Sequence, residues 1–107
     1  MSKVMQGFPP IEPNQVTLAN WRRAPYCHWA FHHVRELVPS AEIQNDPTNI
    51  WELDSGTFDT SKIGLDEALM QTDTDALVVI HDNKLVYETY RNGMTSRDPH
   101  ILMSVSK

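Results

Sequence analysis

The sequence has one cysteine, Cys27, so no internal disulfide can form and no Cys-x-x-C pair exists; this usage fits a reducing compartment and predicts a cytoplasmic protein. Positive charge is also scarce. Nine Lys and Arg stand against fourteen Asp and Glu, a net charge of -5, which leaves no basic face for a run of phosphates and argues against nucleic acid as a partner. Long apolar runs are missing as well. The longest, Ala76 to Ile80, is far below the roughly 20 residues that a bilayer demands, so no membrane span is expected. Met1 to Pro10 holds no continuous apolar stretch of the kind an export leader needs.

What is present suits a folded domain. Apolar residues make up 40% and charged residues 21% of the 107, far from the composition of disordered chains, and the length allows one core. No repeat or low-complexity tract interrupts it.

Prolines at 9, 10, 13 and 25 fix φ and remove amide donors, so residues 1–25 read as an extended arm. Between His28 and Leu37 the apolar positions Trp29, Phe31, Val34 and Leu37 mix spacings of two and three before Pro39, which suggests a short helix or turn. Asp46 to Lys62 is rich in turn formers and reads as a loop pinned by Ile50, Trp51, Leu53 and Phe58. Leu65 to Gln71 is a clearer helix, with Leu65, Ala68 and Leu69 at i, i+3 and i+4 and with Asp66 and Glu67 at its positive end.

Two β-prone runs, Ala76–Ile80 and Leu85–Tyr90, joined through His81-Asp82-Asn83-Lys84, predict a hairpin over 76–90. The first run is apolar throughout, as in a strand covered on both faces, whereas the second alternates. Arg91-Asn92-Gly93 then closes the sheet.

The chemistry lies at Ser104-Val105-Ser106-Lys107, after the apolar lead-in Ile101-Leu102-Met103. On a helix, residues three apart share one face at about 5–6 Å, so the Lys107 amine can reach the Ser104 hydroxyl and take its proton. A serine needs such a base, and a lysine serves as one only where burial or a nearby cation keeps it neutral. Free amides in a first helical turn can also stabilise developing negative charge. A bare Ser-x-x-Lys arises by chance about once in every two or three chains of this length, so context must carry it. The context here is the delivery of the serine from a hairpin at a sheet–helix junction.

The order of strand, turn, strand, Tyr90-Arg91-Asn92-Gly93, a polar stretch and Leu102-Met103-Ser104-Val105-Ser106-Lys107 resembles the approach to the nucleophile in the serine β-lactamase-related, penicillin-recognising hydrolases. A narrower likeness to one branch of that family lies in Trp29-Ala30-Phe31 and in Glu36-Leu37-Val38-Pro39-Ser40-Ala41. The resemblance runs from about Trp21 to Lys107. It implies an α+β class: the N-terminal portion of a β-lactamase/transpeptidase-like fold, built from the arm, short helices, the hairpin and the start of the nucleophile helix at 104–107. It also implies Ser104 as the acylated nucleophile, Lys107 as its proton acceptor, no cofactor or metal, and a small-molecule amide or ester as substrate. Family members use a further tyrosine in a later Tyr-x-Asn or Ser-x-Asn element; Tyr87 and Tyr90 precede the serine and do not take that position. On this reading the 107-residue stretch alone is an inactive fragment. A non-catalytic β-lactamase-like binding module, or an unrelated small domain, remain as alternatives.

Other candidates have plainer explanations. Cys27, His28, His32 and His33 are the one cluster that suggests a metal, with His28 and His32 at i and i+4. A zinc-peptidase motif needs glutamate where Trp29 stands, so hydrogen-bonding or surface histidines are expected. No flanking residue activates Cys27, which reads as an inert thiol. Trp21, Trp29, Trp51 and Phe58 read as core anchors and Glu67, Asp73 and Asp75 as a solvated loop edge.

Overall fold

Residues 3–107 are described by the computed structural model; Met1 and Ser2, the start of the predicted arm, lie outside the described residues. Contacts divide the chain into two units, Met1–Ala41 with Thr95–Lys107, and Glu42–Met94. Each holds its own short elements, and the α+β class is what the chain displays.

In the first unit the proline-rich segment is not an extended arm. It folds back, with the Met5 amide donating to the Asn14 carbonyl at 2.8 Å and a 3-10 turn over Glu12–Asn14. The physical reason lies in its polar side chains, which take up the carbonyls beside the prolines. Gln15 Nε2 donates to Pro10 O at 2.8 Å, and the Tyr26 hydroxyl donates to Pro13 O at 3.0 Å. Asn20 does both jobs, accepting from the Thr17 amide and donating to Gln15 O. Val16 is buried by this wrap.

Helix α1 is one turn, Cys27–Ala30, followed by a 3-10 turn over Val34–Glu36. Ala30 is completely buried, with Cys27 beside it, because the helix turns its small residues inward. Its aromatic neighbours are engaged in ring contacts: Trp21 meets Phe31 edge-on at 6.0 Å, and Trp29 stacks on His33 at 4.1 Å.

In the second unit α2 occupies Leu65–Gln71, as its periodicity predicts. Gly64 precedes it at φ 58°, and Asp66 and Glu67 sit in the first turn. Leu69 is buried while Gln71 donates to Glu67 across one turn at 3.0 Å.

The hairpin forms from β2, Ala76–His81, and β3, Lys84–Tyr90, so each strand extends one residue beyond the predicted run. This leaves a two-residue turn. Asp82 and Asn83 both adopt positive φ, 51° and 60°, the geometry of a type I′ turn that matches the twist of the strands. Register runs Val79↔Tyr87 and then Ile80↔Leu85, so Val86 is an extra, bulged residue. The bulge breaks the predicted alternation: Leu85, Val86 and Tyr87 are all half-buried.

Two expectations fail here. The Asp46–Lys62 stretch is not all loop, because β1, Asp54–Ser55, pairs in parallel with β3 and gives the sheet order β1-β3-β2. Gly56 makes this possible: a Cβ there would stand 2.8 Å from the Val86 side chain, and its amide donates to Leu85 O at 2.9 Å. Trp51 is 70% exposed and Ile50 and Phe58 are exposed too, so they do not act as buried anchors, although Phe58 meets Tyr87 edge-on at 6.2 Å. β2, moreover, is not covered on both faces. It has one strand neighbour within the sheet, and Val78 and Ile80 remain 48% and 46% exposed.

The predicted solvated acidic edge also needs correction. Glu67 and Asp73 are exposed, but Asp75 is buried, accepting from Asn92 Nδ2 at 2.8 Å while its carbonyl accepts from the Arg91 amide at 2.7 Å. The turn after β3 therefore closes onto the start of β2, and Asp75 is its anchor.

Candidate active site

Ser104 lies in a 3-10 turn, Met103–Ser106, with Lys107 as the residue that caps it. The local sequence holds the turn by its own bonds. The Val105 amide donates to Leu102 O at 3.0 Å, the Lys107 amide donates to Ser104 O at 3.3 Å, and Ser106 Oγ donates to Met103 O at 2.7 Å. Met103 takes positive φ, 49°, immediately before the serine.

The Lys107 amide to Ser104 carbonyl bond is the i to i+3 bond of such a turn, so the predicted start of an α-helix at 104–107 is a 3-10 turn instead. Both side chains are exposed.

What fixes the turn is its lead-in. Ile101 donates its amide to the Phe31 carbonyl at 2.8 Å, at the end of α1. His100 donates from Nδ1 to the Ile101 carbonyl at 2.7 Å, and its ring meets Phe31 edge-on at 6.0 Å. Upstream, the Thr95 amide donates to Asp98 Oδ2 at 2.7 Å and the Asp98 amide donates back to Thr95 O at 3.2 Å. The Thr95 backbone and side-chain hydrogen bonds hold the Asp98 carboxyl below the usual aspartate range, with a smaller contribution from His32 and His33.

A cleft of about 240 Å3 opens in this unit between the α1 end and the lead-in, walled by Phe31, His32, Arg35, Pro99, His100 and Ile101. Nothing in the local sequence pattern marks it. Arg35 and His100 are 65 positions apart, and the Phe31–Ile101 hydrogen bond and the Phe31–His100 ring contact bring their segments together.

The other candidates resolve simply. α1 ends at Ala30, so His28 and His32 do not share one regular helix face, and among the described residues no group of three or more His, Cys, Asp or Glu side chains is placed to hold a metal. His33 donates from Nδ1 to Trp29 O at 2.6 Å and stacks on that ring. Cys27 is buried. Tyr90 donates its hydroxyl to Glu88 in a very short hydrogen bond, which pushes the phenol above its ordinary range. Among the described residues no helix is long and apolar enough to cross a membrane.

No family model matches the chain, and no solved structure matches it. Among curated proteins it is similar to 6-aminohexanoate-dimer hydrolase of Paenarthrobacter ureafaciens, with 35% identity over 105 residues. The match covers 94% of this chain and 26% of that protein, so the chain spans about a quarter of its curated relative's length. Along nearly all of its own residues, then, the chain is a sequence relative of 6-aminohexanoate-dimer hydrolase.

Proposed function

We propose that this chain carries the nucleophile segment of a serine hydrolase of the β-lactamase-related type, acting on amide or ester bonds of small molecules. The observation that carries the reading is the placement of Ser104 and Lys107 one 3-10 turn apart, within a stretch matched to a hydrolase whose name specifies an amide oligomer. In the proposed reaction Lys107 accepts the Ser104 proton as Oγ attacks the substrate carbonyl. The tetrahedral intermediate collapses to an acyl-serine ester, and the departing amine or alcohol leaves with that proton. Water then attacks the ester, regenerating the hydroxyl and releasing the acid. No metal or cofactor takes part in this scheme.

Lysine chemistry of this type needs a desolvated amine. Both Ser104 and Lys107 are exposed, and this favours a second reading: a β-lactamase-like module that binds without cleaving. Labelling separates the two. The protein as expressed from its gene is treated with a fluorophosphonate and digested, and the hydrolase reading expects the adduct on Ser104 and none in Ser104→Ala. Adduct that persists in that variant, or wild-type protein that is never labelled, would remove it.

A further inference from the structure

We infer that the cleft between the end of α1 and the Pro99–Ile101 segment is a binding site for a small carboxylate with a short apolar tail. Three features carry this. Its floor is apolar, made by Phe31, Pro99 and Ile101, so an alkyl chain loses water on entering it. Arg35 lines it too, and a guanidinium carries its donors in a fork that fits the two oxygens of a carboxylate. Five donors per guanidinium let Arg35 hold an anion beside any protein partner it already has. At about 240 Å3 the cleft lies below the range of roughly 300–1,000 Å3 that drug-sized ligands fill, which restricts the occupant to a few carbons.

The walls are held in place rather than improvised. The Phe31–Ile101 backbone bond joins the two sides, and His100 is locked by its Nδ1 bond to the Ile101 carbonyl, which turns Nε2 away from that carbonyl. Asp98, the acid next to Pro99, has Oδ2 engaged by the Thr95 amide.

This site is separate from the Ser–Lys proposal and is tested separately. Hexanoate is titrated into the protein while the Ile101 amide and the His32 and His100 ring resonances are followed by NMR, with hexylamine and inorganic phosphate as parallel arms. Saturable shifts with hexanoate, absent with hexylamine and weaker with phosphate, are expected. In Arg35→Gln, an exposed position, hexanoate affinity should fall by about 10- to 100-fold, the loss typical of a hydrogen bond to a charged group. Ser104→Ala should bind hexanoate as wild type does, so failure of the nucleophile assignment leaves this result intact. Equal shifts with hexylamine, phosphate binding as tight as hexanoate, or unchanged affinity in Arg35→Gln would each overturn the inference.

Discussion

The amide of Ile101 donates to the carbonyl of Phe31 at 2.8 Å, and this bond, with the Phe31–His100 ring contact beside it, ties the segment that carries Ser104 to the end of α1. Ser104 follows Ile101 by three residues, at most about 11 Å of chain, so the position of the proposed nucleophile is limited by that tether. Ile101→Pro removes the donor and should destabilise the unit by about 1–3 kcal/mol, with loss of amide protection at the neighbouring residues in hydrogen exchange. Unchanged exchange across 95–107 would show that the tether does not hold the segment.

Lys107→Ala should leave Ser104 in place and slow its acylation by about 10²–10⁴-fold, the usual contribution of a general base. The measurement is the rate of fluorophosphonate labelling at Ser104. A rate equal to wild type would assign proton removal to another group.

The turn Asp82-Asn83 holds two non-glycine residues at positive φ, which costs roughly 1–2 kcal/mol per residue for ordinary side chains and less for Asp and Asn. Asn83→Gly should raise the thermal midpoint, and Asn83→Val should lower it by an amount near the upper end of that range. Circular dichroism melting checks both, and opposite signs are the diagnostic result.

Asp75→Ala strips the buried acceptor from Asn92 Nδ2 and should cost about 1–3 kcal/mol, read from urea unfolding.

For Asp98 the folded-state pKa is depressed, first by the Thr95 backbone bond and then by its side chain. A depressed carboxyl contributes stability that is fully present above the unfolded-state value and is lost as pH falls through the lower folded value. NMR titration should therefore place the Asp98 midpoint below that of an ordinary aspartate. Thr95→Ala should move it only part of the way back, since the backbone amide remains.

Helix α2 and the hairpin were legible because each rests on local physics. Leu65, Ala68 and Leu69 share one face of any helix built from that stretch, and the run from Ala76 to Ile80 has strong β-propensity wherever it sits. That the chain turns around Ser104 was legible for the same reason, although the turn is 3-10 and not the start of an α-helix. The strand Asp54–Ser55 was not, because two polar residues carry no β signal; they pair because Gly56 admits the Val86 side chain. The bulge at Val86 and the burial of Asp75 were hidden likewise, being settled by register and by the closing turn after β3.

The linear chain by itself therefore determined the helix, the hairpin, the turn chemistry and the spacing of Ser104 and Lys107, all of which depend on neighbours within a few residues. Only the tertiary structure decided that the proline-rich start folds back, that Phe31 anchors Ile101, and that Arg35 and His100 wall one cleft. Those outcomes require donors and acceptors far apart in the chain to meet, and no short-range pattern encodes which distant carbonyl an amide will find.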